Sequence, residues 1–371
     1  MSMLQKVLTR RFVIFSILQA LALCACIILS IEQFGEAELQ QQEKVGLILA
    51  RSRDTLGWPK EMALGLQQAC EEMGYDFYIE DQVDVGTGAC RQAIEKLVGK
   101  GVKYIFLANP GFQAEAEEMA AKYPKVNFFA NSVGEHVSDK ILNYSVRYYE
   151  VRYMAGVLAG LHTRTGIVGY VAPFPAVETR RAINAFALGV QSVRPDARIL
   201  VKWTRHWISP ESEQEAVYQL KLEGVDVLAY FVSTHSVAEA AEKHDLAYID
   251  FHHSPYRSGN CLAAIETDWR AVYADLLRII SRKEASADRV YWRGMFDKVI
   301  WLWPTSRLTP AEETALVRTR TALWQGYPVF SGHIVDQGGN LRCMEGEAIS
   351  SNDVQNKMNW LVKGVEVIEA R

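Results

Sequence analysis

The residues best placed to do chemistry in this chain are aromatic and imidazole groups on predicted loops. Trp58 follows Gly57 just after an apolar run at residues 45–50, and Trp207 follows another at residues 199–203. Each indole is expected to project from the end of a strand, and two indoles facing one another can sandwich a planar heterocycle at centroid distances of roughly 4.5–7 Å. The competing reading is that each caps its own core. His206, His235, His252 and His253 also fall in or just after the ends of predicted strands, so several imidazoles could converge on one cleft. Zinc ligation is the sharp reading of that cluster, and solvated or ligand-bonding imidazoles the plain one. No carboxylate or thiolate joins them at a familiar metal spacing, and no metal or cofactor is expected.

Catalytic signatures are missing. The chain has no Gly-x-Ser-x-Gly, no Walker A loop and no H-E-x-x-H, and Gly86-x-Gly88 lacks the third glycine of a dinucleotide fingerprint. A hydrolase acting on nucleosides would need a clustered-aspartate metal site, which is also absent from the pattern. The expectation is a binding protein and not an enzyme.

The elements that must position these groups alternate regularly. Residues 45–50 are apolar on both faces, as in a buried parallel strand. The stretch from Pro59 to Met73 carries Met62, Leu66, Ala69 and Met73 at helical spacing, with Gly74 as a C-terminal stop. The unit repeats as strand 75–80, helix 90–98, strand 104–108, helix 114–121 and strand 126–130. A second series has helix 149–163, strand 167–171, helix 177–193, strand 199–203, helix 211–222, and strands 225–231 and 246–251. Such alternation predicts parallel α/β sheets, and two series predict two lobes. Residues 329–334 and 341–344 flank Asp336-Gln337-Gly338-Gly339-Asn340, which reads as a hairpin.

The chain has 371 residues, 49% hydrophobic and 23% charged, with a net charge of −4. That composition excludes a disordered, polytopic or fibrous chain and gives no general field for nucleic acid. At the N-terminus, Lys6, Arg10 and Arg11 precede an almost uncharged run at residues 12–31, and Glu32, Glu36, Glu38 and Glu43 follow it. The run is long enough to span a bilayer, and the charge order predicts an exported body. Leu23-Cys24-Ala25-Cys26 resembles a lipoprotein signal cut before Cys26, whereas Ile27-Ile28-Leu29 continues the apolar run as an uncleaved anchor would. Both readings, and ordinary secretion, stay open. Cys70, Cys90, Cys261 and Cys343 form no C-x-x-C pair and read as small buried hydrophobes, with one bridge still allowed.

A family resemblance rests on Tyr148-Tyr149-Glu150-Val151-Arg152-Tyr153-Met154-Ala155-Gly156 with Gly160, on Gly169-Tyr170-Val171, and on Arg181 with Asn184-Ala185-Phe186. It continues through Trp203-Thr204-Arg205-His206-Trp207, Gly224-Val225-Asp226-Val227, Phe330-Ser331-Gly332 and Met358-Asn359-Trp360. Together these resemble the basic membrane protein family, the exported substrate-binding proteins of ABC importers that include purine nucleoside receptors. The resemblance implies a two-lobed α/β fold of the periplasmic-binding-protein type I, hinged by crossing strands and preceded by the membrane segment. It implies residues 1–43 as signal or anchor, 44–146 as lobe 1 with 265–297 returning to it, and 147–264 as lobe 2 with 298–371 as a C-terminal appendage. It also implies an ABC permease as partner, a purine-like ligand and a monomeric receptor held at the outer face of the cytoplasmic membrane.

Trp58 and Trp207 fall on the family's base-gripping positions. The acidic residues that hold a ribose in nucleoside-binding members do not match: the corresponding stretches read Phe231-Val232-Ser233-Thr234-His235 and Asp250-Phe251-His252-His253, and a basic residue near Glu266-Thr267 is replaced. A ribose left without acceptors would cost about 1–3 kcal/mol per unsatisfied group, so a free nucleobase is the better candidate. Asn109, before Pro110, is read either as a donor and acceptor for the base edge or as a turn residue. The full set expected at the ligand is Trp58, Trp207, Asn109, Asp54, Phe112, Phe174, Phe231, Ser233, Asp250, Phe251 and His253. An alternative function is a membrane-tethered sensor presenting its bound state to a signalling partner.

Overall fold

The computed structural model describes Gln19 and residues 42–132, 140–251, 259–281 and 290–369. The chain divides after Glu43, and the body begins at Lys44. Among the described residues no helix is long and apolar enough to cross a membrane; apart from Gln19, the apolar run at 12–31 lies outside them.

Lobe 1 is a sheet of six parallel strands: β1 (Lys44–Ile48), β2 (Asp76–Glu80), β3 (Tyr104–Leu107), β4 (Asn127–Asn131), β5 (Ile141–Val146) and β11 (Val290–Arg293). Their spatial order is β11-β5-β4-β3-β1-β2. Helices α1 (Trp58–Met73), α2 (Ala89–Gly99) and α3 (Gln113–Lys122) connect the first four strands. Four of the five β1 residues are buried, as the unbroken apolar run requires of a strand covered on both faces. On the α2–α3 side, Ile48, Ile94, Leu97, Ile105, Phe112 and Phe128 form one dry cluster. Helix α8 (Trp269–Ser281) returns from lobe 2 and packs on α1.

Lobe 2 is a seven-stranded sheet ordered β12-β10-β9-β8-β6-β7-β15. It comprises β6 (Ile167–Ala172), β7 (Arg198–Trp203), β8 (Val227–Tyr230), β9 (Ala247–Phe251), β10 (Cys261–Thr267), β12 (Ile300–Pro304) and β15 (Val365–Val367), with only β12 antiparallel. Helices α4 (Tyr148–His162) and α5 (Val177–Val193) pack closely together. Gly156 and Gly189 allow this: a Cβ at Gly156 would overlap the carbonyl of Phe186, and one at Gly189 that of Tyr153. Helices α6 (Pro210–Leu222) and α7 (Ser236–Lys243) complete the layer, and α9 (Pro310–Trp324) rests on α4.

Two strands of the segment expected as an appendage thus belong to lobe 2, while β13 (Ile334–Val335) and β14 (Leu341–Cys343) form a separate two-stranded sheet. β12 and β15 close the two edges of the lobe 2 sheet. The return to lobe 1, expected near residue 265, follows Thr267, where the pairing of β10 with β12 ends. In the hairpin, β13 (Ile334–Val335) is far shorter than the expected strand 329–334 and pairs with β14 (Leu341–Cys343). Residues before it bend away, and Ser331 makes only an isolated bridge to Ala348.

The chain crosses between lobes at 146–148, 267–269 and 293–300. Arg147 ties the first crossing to the third, donating to Trp292 O at 3.2 Å and pairing with Asp297 at 3.1 Å. Tyr148 ties the first to the second through a 3.2 Å hydroxyl contact with Thr267.

Candidate functional site

A cleft of about 600 Å³ opens between the lobes where the strand ends of both sheets converge. Parallel strands all present their carboxyl ends to one edge, so the loops leaving them gather there. Lobe 1 supplies residues 49–51, 83–85 and 108–111, with Trp58, Pro59 and Asn131; lobe 2 supplies Phe174, Glu178, Phe251 and residues 206–208 and 231–233.

Aromatic rings from both lobes dominate this lining. Trp58 opens α1 and is half-buried, packed edge-to-face on Trp269 at 5.1 Å and tilted against Tyr148 at 6.3 Å. Trp207 keeps 43% of its surface exposed and meets Phe231 edge-on at 5.9 Å. Its loop is tied down by a 2.9 Å bond from Ser233 N to Trp207 O. Trp58 and Trp207 each meet other rings. They are linked through Tyr148 and Phe231, whose centroids lie 5.8 Å apart.

Beneath the cleft, Phe231 and Phe251 pack at 5.3 Å, and the fully buried Arg152 guanidinium lies 4.3 Å from the centre of Phe251. Arg152 donates from Nη1 to Tyr230 O at 2.7 Å, while its Nε and Nη2 have no partner among the described residues. Burial lowers its pKa, against the pull of the Tyr170, Tyr148 and Tyr230 hydroxyls.

The polar candidates separate. Asn109 lines the cleft, but its side-chain oxygen accepts from Gly111 N at 2.8 Å and caps a short 3-10 turn, as the turn reading anticipates. Ser233 lines the cleft and is half-buried. Asp250 does not line it: the carboxylate is buried beside Tyr230, whose hydroxyl donates to it, because the alternation of β9 turns its side chain away from Phe251's. Phe112 is fully buried in the lobe 1 core, since the 3-10 turn carries it inward. Asp54 is exposed in the turn before α1 and outside the lining. Phe174 is exposed at the rim. His252 and His253 lie outside the described residues.

Of the expected imidazole cluster, the two described members, His206 and His235, stand apart. His206 is exposed in the cleft, whereas the buried His235 precedes α7 and faces a separate groove of about 560 Å³ that is also lined by Trp269, Trp301 and Trp303. Among the described residues no group of three or more His, Cys, Asp or Glu side chains could hold a metal ion. Cys70, Cys90, Cys261 and Cys343 are buried, and burial pushes the Cys70 and Cys90 thiols up to about 12.

Glu178 is one of the cleft residues that sequence reading missed, with Arg51, Asp84 and Asn131. It sits in the first turn of α5, where an acid is ordinarily explained by the helix dipole. Burial raises its carboxyl above the ordinary value, with Arg181 pulling the other way.

Residues 42–320 match the family model described as ABC transporter substrate-binding protein PnrA-like. The chain belongs to this family. A purine-binding protein of Brucella abortus is 27% identical over 90% of this chain and 95% of its own. A putative ABC transporter glucose-binding protein of Haloferax volcanii is 30% identical over 64% of this chain and 60% of its own. Among solved structures, a transcriptional activator of the comK gene from Bacillus halodurans superposes with a TM-score of 0.67 at 20% identity, covering 76% of this chain and 98% of that one. A solute-binding protein of an ABC transporter from Conexibacter woesei gives 0.62 at 16% identity, covering 76% and 97%.

This PnrA-like chain is thus an ABC transporter substrate-binding protein with the two-lobed periplasmic-binding-protein type I fold. Proteins of this family are extracytoplasmic, bind small ligands and work with an ABC permease. In the PnrA-like receptor, the loops that carry Trp207 and Ser233 share one support. Glu213 on α6 accepts from Ser209 N at 3.1 Å and from the Thr234 hydroxyl, so it holds both loops together.

Proposed function

We propose that this receptor closes on a flat heteroaromatic ligand, a purine nucleobase in preference to its nucleoside, and delivers it as a monomer to an ABC permease. The observation that carries this reading is the distribution of rings around the cleft: Trp58 stands on lobe 1, and Trp207, Phe174, Phe231 and Phe251 stand on lobe 2. A ligand gripped by rings of separate lobes draws the lobes together, so binding and closure become one event. The purine-binding relative from Brucella abortus supports the ligand class.

The preference for a free base follows from the floor. Phe231 and Phe251 present apolar rings where a sugar would need acceptors, and Asp250 is occupied by the Tyr230 hydroxyl. Leaving ribose hydroxyls unpaired would discriminate strongly against the nucleoside. Calorimetry with adenine and adenosine, on protein unfolded and refolded to strip any carried ligand, tests this. Adenine should bind more tightly; tighter adenosine binding would show a working ribose site. Attachment through the N-terminal segment is part of the same proposal, and a reporter fused after Arg371 should be active only outside the cytoplasm.

A further inference from the structure

We propose that Glu178 reads the edge of the ligand, accepting hydrogen bonds from N–H donors of the base, so that the receptor selects heterocycles carrying such donors. The inference rests on the proposed function above and names the group that sets its specificity. A flat ligand held by aromatic faces has only its edge left for polar contacts, and a few well-placed polar groups then decide what fits.

The polar groups of the cleft are few, and most are occupied or exposed. Asn109 has committed its oxygen to Gly111 N, and Asn131 donates to Tyr144 O at 3.4 Å. Arg51, Asp84 and His206 are exposed at the rim. Ser233 and Glu178 differ, and of the two Glu178 carries the charge: it is half-buried in the lining, and among the described residues its carboxyl takes part in no hydrogen bond or ion pair. Arg181, the nearby cation, does not neutralise it by contact. That guanidinium donates to Val354 O at 3.2 Å and Gln355 O at 2.9 Å and stacks on Trp292 at 5.2 Å.

A carboxylate that opens into the cleft without a protein donor can exchange water for an N–H of the ligand, and a bond to a charged acceptor is the stronger kind. The position of Glu178 in the first turn of α5 favours a negative charge, which strengthens any N–H bond it accepts. Burial, which raises the carboxyl, marks the same poorly solvated surroundings. A base N–H, from the exocyclic amino group or the imidazole ring, supplies the missing donor.

The test is calorimetry of refolded wild type, Glu178→Ala and Glu178→Gln with four probes: adenine, adenosine, adenine doubly methylated on its amino group, and adenine methylated on its imidazole nitrogen. Glu178→Ala should weaken adenine binding about 10- to 100-fold, and this loss should vanish for whichever methylated probe lacks the donor that Glu178 accepts. Glu178→Gln, which keeps an acceptor oxygen without the charge, should lose less and guards against a folding defect in the alanine variant. Equal losses for all probes, or none, would overturn the inference, as would a loss confined to adenosine, which would assign the carboxylate to a sugar. Failure of the wild type itself to bind any probe would overturn the proposed function and this inference with it.

Discussion

The Arg152 guanidinium lies 4.3 Å from the centre of the Phe251 ring and 5.0 Å from that of Phe231, and among the described residues no carboxylate pairs with it. A buried cation is tolerated here because ring faces and the Tyr230 carbonyl take the place of a counter-ion. Arg152→Ala removes that support and leaves a cavity, so stability should fall by about 2–4 kcal/mol. Arg152→Met, which fills the space without a charge to desolvate, should lose less. Urea denaturation of the two variants gives the comparison, and equal losses would show that the contacts of the guanidinium, and not the volume it fills, carry the stability.

The two indoles should behave differently when truncated. Each change, Trp58→Ala or Trp207→Ala, should weaken ligand binding by about 1–3 kcal/mol if the rings stack on a base. Only Trp58→Ala should also lower stability, by about 2–4 kcal/mol, because Trp58 packs on Trp269 and Tyr148 whereas Trp207 stands in a loop with 43% of its surface exposed. Thermal melts beside titrations separate the two effects. Lost stability with unchanged affinity in either variant would make that tryptophan a core cap.

The α4–α5 contact sets a stricter limit. Gly156→Ala places a methyl against the Phe186 carbonyl and Gly189→Ala places one against the Tyr153 carbonyl. Neither backbone can move without disturbing the lobe 2 sheet, so each change should cost about 1–3 kcal/mol or more. A denaturation midpoint equal to wild type would mean that the helices separate freely.

Acid should act on the C-terminal hairpin through Asp336. Its partial burial opposes ionisation, but Asn340 and the Arg342 guanidinium, bonding to it at 2.9 and 2.7 Å, outweigh this and hold the carboxyl down to about 2. The folded value lies below the unfolded one of about 3.9, so its stabilising effect is present above that pH and is lost as pH falls toward the folded value. Asp336→Asn should flatten this part of the pH dependence between roughly pH 5 and 2, measured as the denaturation midpoint at each pH. An unchanged slope would show that the hairpin acid does not contribute.

The sequence by itself determined the alternation of elements. The helix at residues 177–193 was legible to its last residue, and β1, β6 and β7 were each legible to within two residues at either end. Local periodicity and caps set such elements before any tertiary contact forms. The strand-end rule likewise brought Trp58 and Trp207 to one edge, and the family resemblance added Phe231 and Phe251. What the tertiary structure decided was pairing and facing. β5, β10, β12 and β15 are short or mixed in polarity and become strands through their neighbours, which is why β12 and β15 enter the lobe 2 sheet. Asp250 and Phe251 are adjacent in sequence, yet one meets Tyr230 and the other the cleft, and Asp54 and Phe112 left the cleft through turns whose direction no spacing encodes. Glu178 and Arg152 look like an ordinary first-turn acid and an ordinary helix cation until the fold removes their partners. Solvation and pairing belong to the three-dimensional surroundings, so only those surroundings could mark these two residues as exceptional.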